Sequence, residues 1–311
     1  MGWNEDDLHR WLSTQPWPEG LAGSRGHDAA VLGPIDGHVV TCTDQCLEGV
    51  HFDAATPRDQ AGAKAVLRTL SDLAATAAVP RAVTLALRAP AAWSEAEVRS
   101  AILGARGAAV DHGAELVAGD LAQGPGPASL TVAAIGCVEP ARARVGRDRA
   151  VPGQDLVLTG PVGGSLASGR HLRIQPRFAE AGRLVRAGAT GMMDVSDGLA
   201  LDLSRLARAS GVAILLDLDR VPVHPDAASA AAAQGAADQG SAGGASALQR
   251  ALADGEDHEL VATLPAGATG HGAALIGAVE AGEGLWLLEG GVRRRWVPAE
   301  GGWIHGGDHA R

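Results

Sequence analysis

The chain has no tyrosine, two phenylalanines and a single lysine, Lys64, in 311 residues. With hydrophobic residues at 46% and so few aromatics, the core has to be built mainly of Ala, Val and Leu. Lys64 is followed by Ala65, which excludes a Gly-Lys-Ser/Thr phosphate loop, and it lies in no β-rich run that would make it the strand lysine of a protein kinase. A chain that handles ATP without either device needs another way to hold phosphates. Three cysteines, Cys42, Cys46 and Cys137, are too few and too unevenly spaced for a disulfide framework. No stretch of about 18 apolar residues free of charge and glycine appears. Instead of a signal peptide the chain starts with an acidic, Trp-containing segment, so the expected setting is the cytoplasm, with no membrane partner. The 26 basic residues against 36 acidic ones give a net charge of −10, which argues against a general affinity for nucleic acid.

Six aspartates stand beside apolar runs or Gly-rich turns: Asp28, Asp44, Asp72, Asp120, Asp194 and Asp197. Taken singly, each is readily a turn or cap residue. As a converging set they would repel one another unless cations sat between them. Carboxylates that share an ion with phosphates and water suit magnesium, so the set points to several Mg²⁺ ions carrying a nucleotide.

Periodicity gives an α/β (α+β) protein of two domains, about 1–140 and 141–311. Asn4 caps an amphipathic first helix. A strand over 39–43 delivers Thr43 and Asp44. Val66, Leu67, Leu70, Leu73 and Ala74 recur at helical spacing and leave Asp72 on another face, and Pro80 stops that helix. Strands at 83–87, 116–118 and 130–138 follow, the second ending in Gly119-Asp120. The second half shows strands at 156–159, 192–195, 212–218 and 258–264 and a helical stripe of Leu199, Leu203 and Leu206. Ser196 or Asp197 would then sit at a helix N-terminus, where unpaired amides favour phosphate; an ordinary cap without ligand is the alternative. The Ala/Gly-rich tract from Asp226 to Ala247 reads as a loose helix or flexible insert carrying no chemistry.

The stretches Asp28-Ala29-Ala30-Val31-Leu32, Thr43-Asp44, Glu48-Gly49-Val50-His51-Phe52, Leu70-Ser71-Asp72-Leu73-Ala74-Ala75, Pro80 to Leu87, Met193-Asp194-Val195-Ser196-Asp197-Gly198-Leu199 and Gly255-Glu256-Asp257-His258-Glu259-Leu260 occur in that order. Together, from about Gly26 to Asp308, they resemble the thiamine-monophosphate kinase family. The resemblance implies transfer of the γ-phosphoryl of ATP to thiamine monophosphate. It implies the fold shared with aminoimidazole ribonucleotide synthetase, with the N-terminal sheets of a homodimer pairing and ATP in a cleft between domains. It also implies that Asp28, Thr43, Asp44, Asp72, Asp120, Asp194 and Asp197 hold magnesium and that Gly119, Asp120, Arg144 and Ser196 touch ATP. His51 and Glu256 would touch the thiamine phosphate, and Asp120 and Asp197 would carry catalysis. For His51 the alternative is a packed histidine beside Phe52, and for Arg144 a solvated arginine.

Several positions depart from the family pattern: His27 replaces an aspartate, Cys42 a serine, Thr69 an asparagine, Leu121-Ala122 two threonines, and Gly307 an aromatic. The missing ring near the C-terminus makes Trp303 the expected stacking partner for the thiamine rings, the alternative being a Trp that covers core. A degenerate, non-catalytic nucleotide-binding protein is the alternative function. Hydrogenase-maturation and selenophosphate-synthesising relatives depend on cysteines that this chain does not place at its C-terminus or near its N-terminus.

Overall fold

The computed structural model describes residues 3–16, 21–22, 29–140, 145–237 and 245–304. Asp28, Arg144, His27 and Gly307 lie outside the described residues. The chain forms two compact units, one of residues 1–73, 78–140 and 172–175, the other of residues 74–77, 141–171 and 176–311.

In the first unit, α1 (Glu5–Thr14) begins at Asn4, whose side chain accepts from the Asp6 amide at 2.9 Å. Four strands follow, β1 (His38–Leu47), β2 (Val79–Pro90), β3 (Glu115–Gly124) and β4 (Ser129–Val138), with α2 (Arg58–Ala75) and α3 (Glu95–Asp111) between them. The sheet order is β1-β4-β2-β3, so β1 and β3 are its two edges. In α2, the stripe Val66, Leu67, Leu70, Leu73 and Ala74 is buried, as its spacing predicts. Pro80 does not end α2, which stops at Ala75; it lies inside β2, where its ring is buried. A capping box of Ser94 and Glu97 starts α3. The two helices approach to backbone contact: a Cβ on Gly62 would lie 1.9 Å from the Ala101 carbonyl oxygen, and one on Gly104 would lie 2.0 Å from that of Asp59. Only glycine allows that crossing.

The second unit is built on a seven-stranded sheet with the helices α4 (Ser165–Ser168), α5 (Phe178–Arg186), α6 (Leu199–Ser210), α7 (Pro225–Ala237) and α8 (Ala247–Ala253). Its strands are β5 (Gln154–Leu158), β6 (Met192–Asp194), β7 (Ala213–Asp217), β8 (Leu260–Pro265), β9 (Ala274–Glu280), β10 (Gly284–Glu289) and β11 (Val292–Arg295), in the order β11-β10-β7-β9-β5-β8-β6. Leu199, Leu203 and Leu206 are fully buried in a core with Leu156, Ile214, Leu216, Val261 and Ile276. Burying such a leucine contributes roughly 1.5–3 kcal/mol, and this core anchors α6 against the sheet. The Ala/Gly tract opens as α7, with Ala227 fully buried and Gln234 accepting from Arg250 at 2.6 Å. Among the described residues no helix is long and apolar enough to cross a membrane.

Candidate functional site

In the first unit, β1 presents Asp44 and Thr43 to opposite faces, as successive strand residues must. Asp44 faces α2, where its carboxylate meets Arg68 at 3.4 Å, while Thr43 is exposed on the other face. Arg68 and Asp72 stand four residues apart on α2 and so share one face of the helix. Cys42 also points to α2, its thiol donating to the Thr69 carbonyl at 3.3 Å. Two departures from the family pattern, Cys42 and Thr69, are therefore neighbours in space.

Asp120 lies on the far edge strand. Between Val83 and Thr84 the β2–β3 register slips, leaving Val117 as an extra residue on β3. Such a bulge resets which residues face which side. After it, Gly119 pairs with Leu85 and Asp120 with Ala86. Leu85 is buried on the helix side and Ala86 is exposed, so Asp120 shares the open face with Thr43 and not with Asp44. Three strand spacings, roughly 14 Å, separate β1 from β3. Gly119 is required where it stands, because a Cβ would come within 2.4 Å of the Leu85 carbonyl oxygen.

His51 closes a turn after β1. Its amide donates to the Leu47 carbonyl at 2.8 Å, and its Nδ1 accepts from the Leu47 amide at 2.9 Å. An Nδ1 that accepts leaves the ring proton on Nε2. The ring is nearly buried, at 6% exposure.

In the second unit, β6 delivers Asp194 at its end, 3% exposed, with its carboxylate 3.1 Å from His258 Nδ1. His258 Nε2 lies 3.4 Å from Glu256. Both Glu256 and His258 have positive φ, 65° and 53°, a conformation that non-glycine residues hold only under constraint. The constraint is visible: the Glu256 amide donates to the Ser196 carbonyl at 2.7 Å and the His258 amide to that of Val195 at 2.8 Å. Burial works to lower the His258 pKa, but its hydrogen bonds to Asp194 and Glu256 and their negative charges prevail and push it up to about 9. His258 thus places one ring nitrogen against each of two carboxylates, whose charges favour its protonated form.

The turn before α6 differs from its sequence reading. Gly198, at φ 117°, is the residue that enters the helix, and the amides of Ser196 and Asp197 are not open to a phosphate. Both donate to Asp202, at 3.1 and 2.9 Å, whose carboxylate folds back from the first turn of α6 and is completely buried. Arg205 binds Asp202 at 2.8 Å and also pairs with Asp197. Burial pushes the Asp202 carboxyl up to about 7, the neighbouring charges of Asp197 and Asp194 adding to the shift while the Asp197 amide and Arg205 oppose it. The Asp197 carbonyl accepts from the Trp303 amide at 2.8 Å, so the Gly-flanked segment 301–303 runs directly over this turn. A Cβ on Gly302 would lie 2.6 Å from that of Leu201.

The rest of the acidic loop is structural. Asp257 accepts from the Gly163 amide at 2.7 Å and from Arg170 at 2.9 Å, and burial pushes its carboxyl up to about 6. Glu259 accepts from Thr159 at 2.6 Å and pairs with Arg177.

The second unit thus assembles Asp194, Ser196, Asp197, Glu256 and Trp303 around one turn, and adds His258, Asp202 and Arg205, which sequence reasoning missed. In the first unit Thr43 and Asp120 share one sheet face, and Asp44 and the Asp72 helix the other. The donors fit magnesium in kind, being carboxylate and hydroxyl oxygens without sulfur. Among the described residues no three His, Cys, Asp or Glu side chains already converge closely enough to hold an ion. Asp44, Asp194 and Asp197 each have a basic neighbour within the chain, Arg68, His258 and Arg205.

Residues 26–138 match the family described as AIR synthase related protein, N-terminal domain. The thiamine-monophosphate kinase of Halobacterium salinarum is 36% identical over 258 residues, covering 79% of this chain and 82% of that protein. Among solved structures, the thiamine-monophosphate kinase of Stenotrophomonas maltophilia superimposes with a TM-score of 0.74 at 29% identity, over 92% of this chain and 97% of that one. AaThiL, complexed with AMPPCP and TMP, gives a TM-score of 0.74 at 25% identity, over 96% and 95%. With the ordered motifs, the two-unit fold and a relative of this identity matched over most of its length, the chain belongs to the thiamine-monophosphate kinase family.

Proposed function

We propose that this chain transfers the γ-phosphoryl group of ATP to the phosphate of thiamine monophosphate, giving ADP and thiamine diphosphate. The observation that carries the reading is the likeness to AaThiL, complexed with AMPPCP and TMP, over 96% of this chain. The acceptor is already an anionic phosphate, so the reaction asks for alignment and charge neutralisation more than for a strong base. Magnesium, when bound, supplies that neutralisation. Asp28, Thr43, Asp44, Asp72, Asp120, Asp194 and Asp197 are its proposed ligands. Gly119, Asp120, Arg144 and Ser196 are proposed to contact the nucleotide, Ser196 through its hydroxyl, since its amide is engaged by Asp202. His51 is proposed to offer its Nε2–H to the acceptor, and Glu256 to accept from the aminopyrimidine.

Homodimer formation and a cytoplasmic setting belong to the same proposal. The exposed side chains of Thr41, Gln45 and Ala86, on the sheet face away from the helices, support pairing with a second sheet. ADP release should occur with Mg²⁺-ATP and thiamine monophosphate, and not with thiamine or without acceptor. Nucleotide binding without ADP release in any arm would instead support the degenerate, non-catalytic reading.

Trp303, with its amide fixed to the Asp197 carbonyl, is the aromatic proposed to stack on the thiamine ring system, whose thiazolium is cationic. Trp303→Ala is expected to raise KM for thiamine monophosphate several-fold, in line with a cation–π contact of roughly 0.5–2 kcal/mol, and to leave KM for ATP nearly unchanged. Gly307→Trp in that background should restore part of the loss. Equal effects on both substrates in steady-state kinetics would assign Trp303 to packing.

A further inference from the structure

Lys64 is the chain's only lysine, against 25 arginines, and its side chain is fully buried. Lysine is among the side chains least often buried, because taking its amine out of water is costly without compensating bonds. From α2 it reaches the turn after β1, where Nζ donates to the His51 carbonyl at 2.5 Å. That carbonyl belongs to the residue proposed to meet the acceptor phosphate. We infer that Lys64 is a positioning residue for acceptor recognition, fixing the His51 peptide so that the imidazole presents its Nε2–H to the phosphate of thiamine monophosphate. The inference rests on the proposed kinase reading.

The turn is held from three sides. Leu47 supplies both backbone groups, accepting from the His51 amide and donating to Nδ1. The Glu48 amide donates to the Ala128 carbonyl at 3.0 Å, and the Glu48 carboxylate accepts from the Ala128 amide at 2.9 Å, tying the turn to the start of β4. Gly49, at φ 80°, lets the chain reverse, and its amide donates to the Phe52 carbonyl at 2.7 Å. These bonds set the path of residues 47–52, and Lys64 sets the remaining freedom, the orientation of the peptide that leaves His51. Arginine, the chain's choice in place of lysine everywhere else, brings a broad planar fork that does not fit the compact, fully buried contact made at the His51 carbonyl. A straight four-carbon stem with a compact head does.

The test separates positioning from mere packing. Lys64→Met keeps the length of the side chain and removes the donor. It should raise KM for thiamine monophosphate at least fivefold while KM for Mg²⁺-ATP changes less than twofold. In a His51→Ala background the same substitution should add less than a twofold further rise, because the group it positions is gone. With a single lysine, ¹⁵N-lysine labelling of the wild-type protein gives one Nζ resonance, which should shift when thiamine monophosphate is added and stay in place with an ATP analogue. An equal rise in both KM values, an additive effect in the His51→Ala background, or an Nζ resonance indifferent to thiamine monophosphate would each overturn the inference. If Lys64→Met does not fold, the wild-type resonance decides alone. Absence of wild-type turnover with thiamine monophosphate would count against the kinase reading instead, and binding of the acceptor would still report on Lys64 through its resonance.

Discussion

Asp197→Asn is expected to lower turnover by at least about a hundredfold, a loss of ~3 kcal/mol or more of the charge stabilisation that a metal-ligating carboxylate supplies to phosphoryl transfer. The fold should survive. Asparagine retains an oxygen that accepts from Arg205, and the backbone bonds of Asp197, its amide to Asp202 and its carbonyl to Trp303, do not involve the side chain. Asp120→Asn should have a similar kinetic effect at still smaller structural cost. Its carboxylate is exposed on the edge strand β3, and no hydrogen bond or ion pair among the described residues uses it. Steady-state kinetics, with circular dichroism to establish that the proteins are folded, measures both. Near-normal turnover in the two variants would reject magnesium ligation by these aspartates.

Elements with strong apolar periodicity were legible in the sequence, and so were the turns marked by Asp and Gly. The stripe Val66, Leu67, Leu70, Leu73 and Ala74 is buried as its spacing requires, and so is Leu199, Leu203 and Leu206. The bulge at Val117 was not legible, since Leu-Val-Ala reads as one continuous apolar run and only the pairing with β2 reveals the extra residue. Its consequence is large, because it decides which sheet face Asp120 occupies. Strands β9 to β11 escaped for a different reason: glycines at 277, 282, 284, 290 and 291 break the pattern of a segment whose pairing is set by its neighbours. Asp202 did leave a signal. A carboxylate inside Leu199-Ala-Leu-Asp-Leu203 interrupts a helical stripe that is otherwise bound for the core, and a buried carboxylate in the first turn of a helix needs donors, the nearest being the amides before that helix. His258 was quoted within its motif, but nothing in the sequence says that positive φ would turn it between Asp194 and Glu256.

Asp202 should therefore matter more for holding the site than its place in an apolar stripe suggests. Asp202→Ala removes the acceptor of two amides at once and leaves Arg205 with Asp197 alone. Orphaning two part-buried donors costs about 2–4 kcal/mol, so the Ser196 and Asp197 amides should exchange with solvent roughly 30- to 1000-fold faster. Exchange within a few-fold of wild type would mean that water or a shifted side chain replaces the carboxylate. Asp202→Asn isolates the charge. The folded carboxyl lies at about 7 against an ordinary 3.8, so the folded chain holds this proton more tightly than the unfolded chain does. Its contribution to stability is whole below the lower value and is lost as pH rises through the higher one. Asparagine does not titrate. The stability of the wild type relative to Asp202→Asn should therefore fall between pH 4 and pH 8, by something on the order of 4 kcal/mol. Urea unfolding of the two proteins across that range, without magnesium, reads the difference directly. A gap that stays constant with pH would mean that the Ser196 and Asp197 amides and Arg205 stabilise the carboxylate enough to cancel the cost of burying it.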